Sequence, residues 1–404
     1  MARPEREKSR VRGILTPELL TLYSLIFADA LSRSVVGVSL PLYLRELGSS
    51  AEAYGALVSA SRILGMAIGV PAGVLADRLG GALQMALGSI ASGLGSAALG
   101  AASGVAVAAA LYLASYAAGA VARVPTAPML ARLSGGRGLP FGVWGLLLSS
   151  AMALGTAGSA LVASRLGLRW TFTLAGLPLA LAGLAALRLP RYGSGRPSSG
   201  SGSGGFNPLS ALSDLRSMAN RGLLARFCVI KSLDALAYGS YPLVPLLGES
   251  VGLSATQVFS AYSAGYAARA ILSLAGGALA DRVDRRRLYS ATYVVATSVF
   301  ACLTLTSRIP VLFYGALLAG ALMPLFSPGL LAYTMDAFPE EDRGKAVAIE
   351  GTFTRAFGAL GPALAGLLSG LGLEVAFAAS AGLEALALAV SLTLPRIEAE
   401  GRPD

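Results

Sequence analysis

Twelve stretches of mostly apolar residues, each near the length of a membrane-spanning helix, run through the chain. An α-helix rises about 1.5 Å per residue, so about 20 apolar residues cross the hydrocarbon of a bilayer. The stretches fall at 17–44, 53–77, 82–100, 105–132, 139–164 and 169–189, and again at 221–247, 254–281, 286–306, 310–336, 343–370 and 373–394. A soluble globular chain carries about 25 % charged residues. Here the share is 13 % of 404 residues, too few to cover a soluble surface, while 54 % hydrophobic residues exclude disorder. The expectation is an all-α integral membrane protein of the cell membrane, multi-pass, with twelve spans. The first stretch is too long for a signal peptide and is read as a retained span.

Composition also sets the domain boundaries. A polar tail covers 1–16, six spans cover 17–189, a linker covers 190–220, six more spans cover 221–394, and a tail covers 395–404. The linker opens with a Ser/Gly run, the mark of a flexible tether. After it, Leu209, Leu212, Leu215 and Met218 recur at helical spacing beside Asp214 and Arg216. They fit either an amphipathic surface helix or an ordinary linker helix. With the N-terminus inside, 22 basic residues fall in cytoplasmic segments and 4 (Arg45, Arg165, Arg169, Arg308) in outer loops. Positive residues collect on the cytoplasmic side, so both termini and the linker are placed there. The net charge of +10 is then a topology signal and calls for no nucleic acid partner.

Several chemistries have no residues to run on. There is no histidine, so proton chemistry must use carboxylates. Cys228 and Cys302 lie inside apolar stretches and form no metal or redox motif. No nucleophile motif, phosphate loop or nucleotide-binding motif is present. The expectation is a non-enzyme without cofactor or metal, driven by an ion gradient or by the solute's own gradient.

The two sets of six repeat each other. Asp29-Ala30-Leu31, Leu40-Pro41-Leu42 and Gly73-Val74-Leu75-Ala76-Asp77-Arg78 recur as Asp234-Ala235-Leu236, Val244-Pro245-Leu246 and Gly277-Ala278-Leu279-Ala280-Asp281-Arg282, displaced by 204 or 205 residues. A parallel repeat of six spans implies a pseudo-two-fold axis along the membrane normal. Two sixes with G-x-L-A-D-R after the second span of each resemble the major facilitator superfamily, over about Thr16 to Pro395. That resemblance implies a monomeric secondary transporter working by alternating access on a small-molecule substrate with a coupling ion, most simply a proton. It also implies a conformational latch formed by Gly73, Asp77, Arg78, Gly277, Asp281, Arg282 and Arg343. Arg343 lies in Glu340-Glu341-Asp342-Arg343-Gly344, which is similar to a second family turn. The second latch copy is richer in charge, continuing as Asp284-Arg285-Arg286-Arg287, and is expected to be the stronger.

Ionisable residues inside spans cost about 2.5–3.5 kcal/mol or more, so each is a candidate for function. Asp29 and Arg33 are four apart, and Lys231 and Asp234 three apart, so each pair shares a helix face. They read either as structural ion pairs or as cavity groups that bind a proton or a cation. Arg62 and Arg269 have no local partner and fall at one depth, which suits a bidentate grip on an anion; the alternative is pairing across helices. Arg123 matches an arginine that the family associates with proton coupling, although Val124-Pro125 follows it rather than the family's usual residues. Pro125 and Pro128, like Pro324 and Pro328, are expected to bend their spans. Glu350 is a candidate proton site, and Arg355 lies five residues on. Glu384, on the last span, is left without a role. Tyr238, Tyr241, Tyr262 and Tyr266 could face a ring or a cation.

The reading that leads is a proton-coupled transporter of a small anionic or zwitterionic solute. The alternatives are a drug/proton antiporter for lipophilic or cationic compounds, and a non-transporting receptor or scaffold on the same fold.

Overall fold

The computed structural model describes residues 16–134, 139–189 and 220–395, leaving out the side chains at 139, 141, 142, 274, 276–278, 280–282, 328, 329, 331 and 332. The linker, the expected helix at 209–218, both tails and the side chains of Gly277, Asp281 and Arg282 therefore lie outside the described residues.

Every regular element among the described residues is helical. In order these are α1 (Pro17–Glu46), α2 (Ala51–Leu79), α3 (Gly81–Ala98), α4 (Val105–Arg123), α5 (Thr126–Leu133), α6 (Leu139–Leu166) and α7 (Arg169–Ala186). Then follow α8 (Arg221–Ala237), α9 (Val244–Ser250), α10 (Ala255–Arg282), α11 (Arg285–Leu305), α12 (Leu312–Gly320), α13 (Met323–Asp336), α14 (Glu340–Ser369) and α15 (Leu373–Ser391). Helices suit lipid because they satisfy their own backbone groups. Eight helical segments among the described residues are long and apolar enough to cross a membrane. The other four apolar stretches correspond to α8 with α9, α10, α12 with α13, and α14.

Prolines explain the breaks. A proline lacks the N–H that would bond to the carbonyl four residues earlier. The fourth stretch ends α4 at Arg123 and restarts at Thr126, with Pro125 between. The tenth stops at Gly320 and restarts at Met323-Pro324. Both bends were legible in the sequence. The seventh, expected as one helix over 221–247, is instead interrupted: α8 ends at Ala237, a 3₁₀ turn covers Tyr241–Leu243, and Pro245 opens α9. At Pro125 the carbonyl that loses its usual donor is that of Val121, which is left with the Val124 N–H at 3.4 Å. The buried Gln84 amide donates to it at 2.9 Å, and to the Ala72 carbonyl at 3.0 Å.

The repeat is visible in the turns. Gly48 (φ 89°) and Gly252 (φ 86°), 204 residues apart, follow the first apolar stretch of each half. Gly167 (φ 91°) and Gly372 (φ 133°), 205 apart, precede the last. Each takes the left-handed region that glycine enters without a Cβ penalty.

The chain divides into two compact units. The described residues of Met1–Tyr43 and Ala67–Ser199 form one, and those of Leu44–Met66 and Gly200–Asp404 the other. The start of α2 therefore belongs to the second unit and its end to the first. In the first unit α3 packs mainly on α7 and α4; in the second, α11 packs on α15 in the way that α3 packs on α7. Leu22, Met85, Leu130 and Leu179 anchor the first core, and Phe227, Tyr289, Tyr333 and Phe338 the second.

Candidate functional site

In the first unit the charges gather at a cavity. Asp29 lies midway along α1, and Arg33 follows one turn later on the same face. Arg33 Nε reaches Asp29 Oδ2 at 2.9 Å, and Arg123 Nη1, from the end of α4, reaches Oδ1 at 3.2 Å. One carboxylate thus lies between two guanidinium groups, and the trio carries one surplus positive charge. Side-chain exposure is 17 % for Asp29, 44 % for Arg33 and 32 % for Arg123, so the arginines are open to a ligand. Arg123 also sits 5.7 Å from the centre of the Tyr116 ring. A cavity of about 120 Å³ opens beside the trio. Leu25, Met85 and Trp144 give it apolar walls, and Ser89 and Thr126 add hydroxyls. The sequence paired Asp29 with Arg33 and left Arg123 open; the break at Pro125 sets Arg123 at a helix end from which it reaches α1.

The second unit holds a different cluster. Lys231 and Asp234 on α8 meet Glu350 of α14 and Glu384 of α15. The Lys231 ammonium lies 5.9 Å from the centre of the Tyr293 ring. Glu384 is completely buried, and neither carboxylate oxygen receives a hydrogen bond from the described residues. This residue was left without a role in the sequence, yet a signal was present. Thr171, Phe172, Ala175, Leu179 and Ala186 of α7 are all buried, as are Ala376, Phe377, Ser380, Glu384 and Ser391 of α15. Each pair is 205 residues apart, so Glu384 stands where the first half places the core residue Leu179.

Arg62 and Arg269, read in the sequence either as an anion clamp or as partners across helices, have different surroundings. Gly55, Ser59 and Arg62 share one face of α2, and that face lies on α14. Gly55 meets Pro362 and Gly366, Ser59 Oγ accepts from the Ala363 N–H at 2.8 Å, and Arg62 Nη1 donates to the Gly358 carbonyl at 2.6 Å. That carbonyl lies four residues before Pro362, so Arg62 supplies the donor that the proline withholds. Arg269 is exposed beside Tyr238 and Tyr241. Those tyrosines continue a chain of ring contacts, Tyr238–Tyr241 at 6.1 Å, Tyr241–Tyr262 at 6.2 Å and Tyr262–Tyr266 at 6.0 Å. Arg355 is exposed on α14.

The latch residues are described in part. Asp77 and Arg78 are exposed at the end of α2. Among the described residues, a Cβ on Gly73 would meet nothing within 4 Å. Arg343 Nε donates to the Phe338 carbonyl at 3.1 Å. The charge-rich second copy is engaged inside its own unit. Arg285 pairs with Asp336, Asp284 caps α11 by accepting from the Arg286 N–H at 2.8 Å, and Arg286 Nη2 donates to the Leu392 carbonyl at 2.6 Å.

The sequence matches the profile described as Major Facilitator Superfamily over residues 22–238 and 232–404. No curated protein matches it. Among solved structures, the nucleoside transporter NupG superposes with a TM-score of 0.75 at 15 % identity, covering 94 % of this chain and 99 % of that one. The peptide transporter POT gives 0.71 at 16 % identity, covering 93 % of each chain. A bacterial homologue of the human lysosomal transporter Spinster, inward-facing and unoccupied, gives 0.64 at 17 % identity, again with 93 % of each chain covered. At these identities the likeness establishes the fold.

Proposed function

The chain belongs to the major facilitator superfamily, and from that premise we propose a secondary transporter that moves a small anionic or zwitterionic organic solute, coupled to protons. The single observation that carries the substrate class is the Arg33–Asp29–Arg123 trio at the mouth of the first unit's cavity. Guanidinium groups bind carboxylates through paired N–H donors. Asp29 makes one contact with each arginine and leaves their other N–H donors for a ligand. An entering carboxylate shares the arginines with Asp29, and the cavity wall at Trp144 and Met85 takes the solute's apolar part. A zwitterion adds an ammonium group that Asp29 itself can accept. Alternating access of a twelve-span fold with both termini cytoplasmic completes this reading.

The test is a thermal-shift panel on the purified protein in detergent, with small organic carboxylates, amino acids, sugars and lipophilic cations, each at acidic and neutral pH. A ligand that binds only the folded state raises its stability by mass action. Stabilisation by carboxylates or amino acids that is lost in Arg123→Ala supports the proposal. Stabilisation by lipophilic cations alone overturns it in favour of drug export. A flat response to the whole panel argues for a receptor or scaffold.

A further inference from the structure

The two halves place an aspartate at equivalent positions and surround it with opposite chemistry. Asp29 is closed by two arginines. Asp234 lies within hydrogen-bonding reach of a second carboxyl group, Glu384, in the interior of the second unit. Two ionised carboxylates have four acceptor oxygens and no donor, so they repel and make no hydrogen bond. A carboxyl and a carboxylate make a strong one. Glu384 fits the second case: it is fully buried, and no N–H or O–H of the described residues reaches either oxygen.

The surroundings offer too little positive charge for the first case. From α8 come Lys231 and, at its end, Tyr238; from α11 come Tyr289 and Tyr293; from α14 comes Glu350. Three carboxylates against one ammonium group give a charge of −2, and a single added proton brings it to −1. The Tyr289 and Tyr293 hydroxyls are buried too, so the pocket is polar on more than one wall.

We propose that Asp234 and Glu384 form a binding site for one exchangeable proton, shared between the two carboxyl groups. In the first half the position of Glu384 is taken by the core residue Leu179, so the carboxyl pair exists in the second half alone. It deepens the transporter reading by giving the coupling ion a place, and it rests on that reading only for the coupling role.

The experiment needs no solute. Infrared difference spectra of the full-length protein in lipid nanodiscs are recorded across a pH titration. The carbonyl stretch of a buried protonated carboxyl is expected in the wild type, with loss on raising the pH. The same band is expected to be missing in Glu384→Gln and in Asp234→Asn, and kept in Asp29→Asn. Should Glu384→Gln not fold, Glu384→Leu restores the residue found at 179 and is read in the same way. No titrating band in the wild type overturns the proposal. So does a band that survives in both variants, or one lost in a single variant, which places the proton on one residue alone. A failed ligand panel leaves this result standing, so the two proposals fall separately.

Discussion

Arg62 is the best place to test how this fold tolerates a proline in the middle of a long helix. Pro362 removes one N–H from α14, and the carbonyl it should have met, that of Gly358, receives Arg62 Nη1 at 2.6 Å instead. Hydrogen bonds to a charged group contribute about 1.5–3 kcal/mol, and stranding a buried acceptor costs about 1–3 kcal/mol. Arg62→Met keeps the apolar stem and removes the donor, and its expected cost is about 2 kcal/mol. In a Pro362→Ala background the main-chain N–H of residue 362 takes the Gly358 carbonyl. There the same substitution should cost about 0.5 kcal/mol, the range of a change that breaks no specific bond. The difference, about 1.5 kcal/mol, is the interaction energy of the cycle, and it exceeds the ~0.5 kcal/mol scatter of additive pairs. The assay is unfolding in mixed detergent micelles, followed by two independent probes so that a two-state analysis is justified. Equal costs in the two backgrounds would refute the reasoning, because Arg62 would then serve something other than the proline gap.

Three further outcomes are expected. Removing Asp29's charge with Asp29→Asn should tighten carboxylate binding about tenfold in the thermal-shift titration, while Arg123→Ala weakens it at least as much; two charges some 6 Å apart at a partly exposed site interact by one to a few kcal/mol. Gln84→Leu conserves volume but removes the donor to Val121 and Ala72, so it should cost about 2–3 kcal/mol in the same unfolding assay. Gly239→Ala and Gly155→Ala both fall where the first and fifth spans of a half pack together, but should differ sharply in melting midpoint. At Gly239 the new methyl meets the backbone of Gly361 and overpacks, whereas at Gly155 it meets two side chains that can rotate away, Ser34 at 2.9 Å and Leu31 at 3.1 Å, and one backbone atom, the Leu31 carbonyl, only at 3.2 Å.

What the sequence disclosed followed from its periodicities. Span length, the 204–205 residue repeat and the prolines at 125 and 324 each act through local geometry or simple counting, and the corresponding helices and breaks are where those signals put them. The seventh span departs from one helix because two closely spaced prolines, Pro242 and Pro245, each start a new segment rather than bend an old one. Partners across helices were less legible. Arg62 and Arg269 share a depth by residue counting, but depth carries no information on which helix each faces. The face of α2 that carries Gly55, Ser59 and Arg62 turns to α14, and only packing decides that.

The two aspartates show how far a repeat can be used as an instrument. Their equivalence was readable from Asp-Ala-Leu in both halves, and on its own it suggested equal roles. The partners come from other helices and have diverged. Position 123 is Arg in the first half, while 205 residues later it is Pro328; position 179 is Leu, while 205 residues later it is Glu384. One half thus has a guanidinium and an apolar core residue, where the other has a proline and a carboxyl group. A surplus cation beside an open cavity favours an anion. A carboxyl pair in a closed interior favours a proton. Aligning the repeats residue by residue, and asking where a charged residue replaces a core one, turns a fold-level symmetry into a division of labour between the halves.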